Sequence, residues 1–350
     1  MGAYLRSLRM ITLLIALAMV FVGCSLGADT GENKSIDPPP EKMESEQKEE
    51  SEAKSDEEKE EKKTTSGIEL YYLDEYGYLV PYAMGIPKVE GIAKEALMYM
   101  VESGPAADSI PAGFRAILPK GTQVKGLNID GRVATVDLSK EFLTYDAEME
   151  EKILNAITWT LTGFESVEEV NIWVEGKPLA AMPEKKSPAQ KLSRSSGINV
   201  EVSRGIDVTK SMPVTLYFLG QTSEDQVYYV PVTRMIDRKE KVAEAALAEL
   251  IQGPTHGDAL VSALSDTTKV NSVDVSKDLI SADFSKELLD YAESKSASKE
   301  AIQAIVLSLT ENAEAKKVKI TVDGEAQVKA DGELLGKPVS RPKQVNPNSL

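Results

Sequence analysis

Apolar side chains recur with a period of two between residues 127 and 138, the spacing of β-strands that bury one face. The apolar positions are Leu127, Ile129, Ala134, Val136 and Leu138. Asp130-Gly131 lies between the two halves, and this dipeptide is a strong signal for a hairpin with a type I′ turn. We therefore predict an antiparallel hairpin with Leu127 opposite Ala134 and with all five apolar side chains on one face.

Two further stretches have the three- and four-residue spacing of amphipathic helices. The first carries Val89, Ile92, Ala93, Ala96, Leu97, Met100 and Val101, and the second carries Ile153, Leu154, Ile157 and Leu161. Gly104-Pro105 follows the first stretch and is typical of a helix end. The alternation of Val170, Ile172 and Val174 then predicts a closing strand.

The whole pattern occurs twice. The segment 136–141, Val-Asp-Leu-Ser-Lys-Glu, returns at 282–287 as Ala-Asp-Phe-Ser-Lys-Glu, and similar offsets relate Gly104-Pro105 to Gly253-Pro254. A repeat of this length is a domain rather than a solenoid unit. We predict copies at 67–183 and 213–333, a partly ordered connector at 184–212 and a tail at 334–350, loose from residue 341. The predicted fold class is α+β, in which each copy is a small sheet with helices on one face.

The N-terminal residues resemble a bacterial lipoprotein leader. Arg6 and Arg9 precede an apolar run from Met10 to Val22, which has the order of a signal peptide and is short for a membrane span. Cys24 follows Gly23 as in a lipobox, so we predict a signal peptide at 1–23 and diacylation of Cys24. Ordinary secretion with an incidental Cys24 is the alternative. Residues 24–66 are charged and nearly devoid of apolar side chains, which predicts a disordered tether outside the cell membrane.

Composition narrows the possible chemistry. The chain has 56 acidic and 40 basic side chains, a balance that argues against nucleic-acid binding. His256 is the only histidine and Cys24 the only cysteine, so we expect no metal site and no cofactor. A carboxylate-based enzyme acting on the cell wall remains an alternative; its candidate residues are Asp137, Glu141, Asp283 and Glu287. The competing interpretation is that Asp137 and Asp283 cap turns by accepting backbone N–H bonds.

An aromatic cluster offers a candidate for protein contact. It comprises Tyr71, Tyr72, Tyr76, Tyr78 and Tyr82. We predict a hairpin with Leu73 opposite Tyr78, and Pro81 places this hairpin at a sheet edge because proline has no N–H to donate. We expect only one side of the hairpin to pack on the helices. Tyr76 and Tyr82 are therefore predicted to form a partner surface. The alternative is that these aromatic side chains complete the core.

The leader, the charged tether and the two copies together resemble the tandem GerMN-domain lipoproteins of spore-forming bacteria. The residues that carry the resemblance are the 214–218 entry Val-Thr-Leu-Tyr-Phe, the Gly-Pro helix ends and the repeated Val-Asp-Leu-Ser-like segment. The resemblance implies a fold akin to ring-building-motif domains and a role in sporulation or germination. It brings no catalytic motif. The leading hypothesis is a lipid-anchored, non-catalytic scaffold with protein partners in the spore envelope. A solute-binding lipoprotein of a transporter is a further alternative.

Overall fold

The computed structural model describes residues 65–87, 89–202, 205–255, 259–289, 296–326, 329–330, 333–334 and 337–347. The signal peptide, Cys24, nearly all of the tether and His256 lie outside them. In the first copy the elements are β1 (Thr65–Asp74), β2 (Leu79–Pro87), α1 (Ile92–Met98), β3 (Phe114–Arg115), β4 (Val124–Asp130), β5 (Val133–Leu138), α2 (Glu150–Leu161), β6 (Glu169–Val174) and β7 (Lys177–Pro178).

The connector and the second copy continue this order. The elements are β8 (Glu201–Val202), β9 (Ser211–Gln221), β10 (Val227–Asp237), α3 (Val242–Gln252), β11 (Val270–Val275), β12 (Leu279–Phe284), α4 (Lys299–Glu311), β13 (Lys317–Val322), β14 (Lys329–Ala330), β15 (Glu333–Leu334) and β16 (Val339–Ser340). Short 3₁₀ turns at Lys140–Leu143 and Lys286–Leu289 follow the repeated segment in both copies.

Each copy contains two small sheets. The long hairpins form sheets of order β2-β1-β3 and β8-β10-β9, while the others have the orders β4-β5-β6-β7 and β11-β12-β13-β16. β14 and β15 pair with each other as a separate short ribbon. In the four-stranded sheets the first pair of strands is antiparallel and the second pair is parallel. Strand pairing thus repeats with the sequence, which confirms the predicted α+β duplication.

The predicted hairpin is present in both copies, although its register in the first copy differs from the predicted register. Ile129 pairs with Ala134 and Leu127 with Val136, so the central turn residues are Gly131 and Arg132 rather than Asp130-Gly131. Both have positive φ, 53° and 69°, as a type I′ turn requires. The shift is two positions, which leaves every side chain on its predicted face because strands have a period of two. The second copy departs at the end of β11, where Val275 is 52% exposed.

The tyrosine hairpin has a different register from the prediction. Leu73 pairs with Leu79 rather than with Tyr78. Gly77, with a φ of 82°, adds a left-handed residue to the loop, and the Asp74 N–H bonds the Tyr78 carbonyl. This slip of one residue exchanges the faces of one strand relative to the other.

Both faces of this hairpin are buried, so the expectation that only one side packs was wrong. The buried residues are Leu70, Tyr71, Tyr72, Leu73, Leu79, Val80 and Tyr82. Tyr71 packs edge-on against Trp159 of α2, and Val80 belongs to the hydrophobic core of the second copy. The two copies therefore share packing across this hairpin.

The first helix is shorter than its apolar pattern. It begins after Gly91, which has a left-handed φ of 88°, and after Met98 the chain tightens into i to i+3 bonds that include Val101 N–H to the Met98 carbonyl. Val89 lies before the helix and is exposed. In the second copy the helix ends at Gln252 before Gly253, as predicted.

The connector is held in place by a buried carboxylate. Glu150, at the start of α2, is fully buried and accepts backbone N–H bonds from Glu184, Lys185 and Ser187, together with the Tyr145 hydroxyl. Burial by itself raises the pKa of Glu150, but these hydrogen bonds outweigh it and lower the pKa to about 2. A connector that looked partly ordered from composition is thus fastened to the first copy.

The connector residues up to and within β8 bury a charged side chain while two of their valines are exposed. Ile198 is buried, but Val200 and Val202 are exposed. Glu201 points inward instead and bonds Arg234, which is completely buried, at 3.0 Å. An ion pair therefore occupies the face that hydrophobicity would assign to the valines.

The C-terminal residues are also packed. Val345 and Asn346 are buried, and the Arg341 guanidinium donates to the Leu307 carbonyl and the Thr310 hydroxyl of α4. The prediction that the tail is loose from residue 341 was therefore wrong for residues 341–347. The tail has a polar composition, but Arg341 bonds α4 and Asn346 bonds both long hairpins.

Candidate functional site

The repeated Asp-x-Ser segment stabilises the fold in both copies. The Gly176 N–H, in the turn after β6, donates to Asp137 Oδ1 at 2.9 Å, and the Gln123 N–H donates to Ser139 Oγ at 3.0 Å. Gly176 has a φ of 73°, which favours glycine at this turn. The prediction that the aspartate accepts a backbone N–H is confirmed. The turn belongs to the neighbouring strand rather than to the aspartate's own.

The second copy repeats these bonds. Asp283 Oδ1 accepts the Gly324 N–H at 2.9 Å, and Ser285 Oγ accepts the Lys269 N–H at 3.0 Å. Burial raises the pKa of Asp283, but hydrogen bonds from Thr321, Asn271 and Gly324 lower it below the usual value. The segment that revealed the duplication therefore has an architectural role.

The two glutamates of the repeated segment, Glu141 and Glu287, both have a pKa below the usual value. A hydrogen bond with the Ser139 hydroxyl lowers the pKa of Glu141, and one with the Ser285 hydroxyl lowers the pKa of Glu287. A general acid at neutral pH needs the opposite shift. These four carboxylates thus occupy two separate turns, one in each copy.

The described part of the chain contains neither a cluster of metal-ligating side chains nor a membrane-spanning helix. Among those residues, His, Cys, Asp and Glu form no group of three or more that could hold a metal ion. None of the helices that the structure describes has the length and apolarity to cross a bilayer.

A cleft of about 590 Å³ opens beside the start of α3. It is lined by residues 240–244, by Val273 and residues 275–277, and by residues 312–315 after α4. Lys241 and Glu244 in its wall pair with each other at 3.0 Å. The cleft therefore offers an open, mixed surface rather than a set of convergent reactive groups.

The two long hairpins lie side by side along β2 and β10. We call this contact the seam and define it as β2, β10, Asn199 and Asn346. Pro81 and Pro231 stand at matching points of the two strands, where neither can donate a backbone hydrogen bond. The edge position predicted from Pro81 is confirmed, since β2 is the outer strand of its sheet.

Two asparagine side chains join the strands of the seam. The Asn199 amide donates to the carbonyls of Leu79 and Pro231 at 2.8 and 2.7 Å, and its oxygen accepts the Leu79 N–H. One asparagine, from the connector, thus bonds both copies. Its backbone has a φ of 47°, a conformation that asparagine tolerates better than most residues.

The second asparagine comes from the tail. The Asn346 amide donates to the carbonyls of Pro81 and Tyr229 at 2.8 and 2.9 Å, and its oxygen accepts the Tyr229 N–H at 2.8 Å. The Asn346 carbonyl accepts the Ala83 N–H. The connector and the tail therefore supply the bonds that two proline-containing strands do not make directly.

Aromatic packing extends along the seam. The ring centroids of Tyr82 and Phe114 are 5.9 Å apart, and those of Phe114 and Tyr228 are 5.0 Å apart. Tyr82 is only 2% exposed, so it lies inside the molecule and offers no free partner surface. Tyr82 packs on Phe114 of its own copy, and Phe114 in turn packs on Tyr228 of the second copy.

A charged cluster lies behind the seam. Its members are Arg194 of the connector, Glu311 of α4 and Arg341 of the tail, and we call it the Arg–Glu–Arg cluster. Arg194 Nη1 is 2.9 Å from Glu311 Oε1, and Arg341 Nη2 is 2.5 Å from Glu311 Oε2. Burial raises the pKa of Glu311, but the two guanidinium groups outweigh it and hold the pKa below its usual value.

The cluster also reaches the first copy. The Arg194 guanidinium lies 4.4 Å above the Trp159 ring and donates to Thr162 Oγ1 at the end of α2. The Tyr217 hydroxyl donates to Glu311 at 3.0 Å. Helices from both copies are thus connected through one carboxylate.

The loops of the two hairpins meet at one end of the seam. We call residues 74–78 and 222–228 the tip surface. Tyr76 is 53% exposed and Val227 is 55% exposed there, and Glu75, Glu224 and Asp225 are exposed beside them. The Ser223 N–H donates to Glu75 at 3.2 Å, so the two loops are bonded to each other.

Asp74 holds Tyr76 in its loop. Its Oδ1 accepts the N–H groups of Tyr76 and Tyr78 at 3.0 and 2.7 Å, and its Oδ2 accepts the Tyr228 hydroxyl at 2.9 Å. Burial raises the pKa of Asp74, and the hydrogen bonds offset this only in part. Of the two predicted surface tyrosines, only Tyr76 is therefore presented to solvent, and it stands on an ordered loop.

Sequence reasoning missed the residues that join the copies. Asn199, Arg194, Asn346 and Arg341 lie in segments of polar composition, where such residues are ordinarily solvated. Pro81 and Pro231 gave the available signal, because neither has a backbone N–H with which its strand could pair with the other. β2 is the outer strand of its sheet, whereas β10 lies between β8 and β9.

The fold and the seam define a class of protein: a tandem duplication of one α+β domain, fused into a single unit by its connector and tail. Comparison with known families agrees with this. The model of the Germane family, described as sporulation and spore germination, matches residues 69–180 and 215–328. The chain therefore belongs to the Germane family of sporulation and spore germination.

A relative from Bacillus subtilis and a solved structure from the same organism are similar over most of the chain. The spore germination protein GerM of strain 168 is 41% identical over 289 residues, which cover 81% of this chain and 78% of the relative. The solved tandem GerMN domains of the sporulation protein GerM are 38% identical, with a TM-score of 0.76, and cover 81% of this chain and 100% of that one. The likeness extends across both copies.

Proposed function

We propose that this protein is a membrane-anchored, non-catalytic scaffold in sporulation and spore germination that binds a protein partner at the tip surface. The observation that carries the proposal is the exposed Tyr76 on a loop that is bonded to the other copy. A loop whose backbone is already held by hydrogen bonds loses little conformational freedom on binding. The large area and polar end of Tyr76 suit it to protein interfaces.

Charge defines the partner further. Glu75, Glu224 and Asp225 surround the two exposed apolar side chains of the tip surface. A complementary partner has basic groups around an apolar centre. The scaffold role is supported by the repeated carboxylates, which bond turns, and by the seam, which joins the two copies through hydrogen bonds.

Tyr76→Ser is expected to reduce partner crosslinking at least tenfold in sporulating cells while leaving thermal unfolding unchanged, because the side chain is exposed. Crosslinking is measured with a photoreactive residue at position 223, whose bond to Glu75 is made by its backbone N–H, so that residues 75 and 76 are left intact by the probe. Val89→Ser, an exposed apolar position outside the tip surface, is the matched control and should change neither quantity. Unaltered crosslinking in Tyr76→Ser would remove the tip surface from the proposal, and a parallel loss of stability would make Tyr76 structural.

Membrane attachment through Cys24 is the other part of the proposal. A thioether-linked diacyl group supplies the membrane affinity, so Cys24→Ala should release the protein to the medium or leave its signal peptide uncleaved. Fractionation and mass measurement of the N-terminus check this, with Ser25→Ala as control. A Cys24→Ala protein that remains in the membrane fraction with its signal removed would contradict the anchor.

A further inference from the structure

Trp173 lies outside both hydrophobic cores. It is partly exposed on β6, and the residues on either side of it, Ile172 and Val174, contact the core of the first copy while Trp173 does not. The other tryptophan, Trp159, is 1% exposed. Because successive side chains of a strand point to opposite faces, Trp173 lies on the face turned away from the helices.

The neighbours of Trp173 on this face are known from the strand register. Across the sheet, Gly126, Asp137, Trp173 and Pro178 form one row, and Asn128, Thr135 and Asn171 form the next. Adjacent strands are about 4.8 Å apart and alternate residues about 6.7 Å apart, so the second row spans about 10 Å. We call these two rows the Trp173 face.

The polar groups of the Trp173 face have capacity left for a ligand. Among the described residues, nothing hydrogen-bonds the side chains of Asn128 and Thr135 or the indole N–H of Trp173. Asn171 uses its oxygen on the Lys191 N–H, and its amide donors make no hydrogen bond within the described part of the chain. Asp137 is the only ionisable side chain of the two rows, and it already accepts the Gly176 N–H.

The second copy has no such face. The equivalent rows contain Ser272, Asp283 and Thr321, and then Asp274, Ser281 and Lys319. Thr321 stands in place of the tryptophan and donates to Asp283 at 2.5 Å. The aromatic ring and the unused amides are therefore specific to the first copy.

We propose that the Trp173 face binds a neutral, β-linked pyranose oligosaccharide. Such sugars present apolar C–H faces that stack on an indole ring and a rim of hydroxyl groups that need both donors and acceptors. Asn and Thr side chains supply both. The low charge of the two rows, in a chain of net charge −16, matches a ligand without charge. The core of a protein interface would instead surround the ring with apolar groups.

The test is isothermal titration calorimetry of the full chain in lipid nanodiscs, with chitotetraose and cellotetraose as probes. Saturable heat is expected from at least one of them. Trp173→Thr, which introduces the residue of the second copy, should weaken binding at least tenfold. Asn128→Ala leaves the ring in place and should weaken binding several-fold. Lys319→Ala, at the equivalent face of the second copy, is the control and should leave binding unchanged.

Thermal unfolding of each variant establishes that it is folded before its heat is interpreted. The proposal is overturned if neither tetrasaccharide gives saturable heat, or if Trp173→Thr binds as the wild type does. A Trp173-dependent loss of protein crosslinking without sugar binding would also overturn it, and would identify the face as a protein-docking surface.

Discussion

Glu311→Gln is expected to destabilise the protein by about 3 kcal/mol, because breaking a buried ion pair from one side leaves charges without compensation. Two arginines depend on this carboxylate, and its side chain is only 10% exposed. We take the lower end of the usual range of about 3 to 5 kcal/mol because Arg194 and Arg341 are partly exposed and therefore partly solvated. Urea unfolding of the full chain measures the loss.

A matched control is available on the surface. Glu168 pairs with Arg132 at 2.8 Å, and both side chains are more than half exposed. Glu168→Gln should therefore cost less than about 1 kcal/mol. Equal stabilities for Glu311→Gln and Glu168→Gln would show that the Arg–Glu–Arg cluster does not join the two copies energetically.

Glu150→Gln is expected to lower the free energy of unfolding by about 2 to 3 kcal/mol. Each buried donor left unsatisfied costs about 1 to 3 kcal/mol, and the amide oxygen of glutamine still accepts some of the hydrogen bonds. The new NH₂ group also faces backbone N–H groups of the connector. Released connector backbone should become sensitive to proteolysis between residues 184 and 187. Chemical unfolding together with limited proteolysis checks both consequences.

This effect has a defined pH dependence. The folded pKa of Glu150 is lowered to about 2, from an ordinary value near 4.5. Its stabilising contribution is therefore complete above pH 4.5 and is lost as the pH falls towards 2. The difference in unfolding free energy between wild type and Glu150→Gln should shrink over that range. Glu148→Gln, at an exposed position two residues earlier, should run parallel to the wild type. A difference that stays constant with pH would contradict the assignment.

These effects matter for the proposed scaffold because the tip surface is shared. Glu75 of the first copy bonds Ser223 of the second, and Tyr228 bonds Asp74. A variant that loosens the seam should weaken partner binding without any change at the tip itself. Tyr76→Ser and Glu311→Gln thus separate loss of contact from loss of support.

The sequence alone determined the duplication, the fold class and most of the elements. Periodicity identified α2, α4 and the β4–β5 hairpin because each has one face in a core, and that burial selects apolar side chains at regular intervals. The Asp137 segment was recognised as a turn-capping motif because aspartate at a strand end accepts backbone N–H bonds. The turn that Asp137 caps, at Gly176, lies 39 residues away and is known only from the structure. The repeat of the apolar pattern after 146 residues could be recognised without knowing how the two copies contact each other.

Only the tertiary structure decided how the copies meet and what remains exposed. Tyr82 and Tyr76 are indistinguishable in sequence, yet one is buried in the seam and the other is on the surface. A strand buried on both faces has no alternation from which its register can be predicted, and the left-handed Gly77 shifted that register by one residue. Asn199 and Arg194 look like solvated linker residues, because the groups that satisfy them lie in distant parts of the chain. Long-range hydrogen bonds of this kind leave no periodic pattern in a sequence.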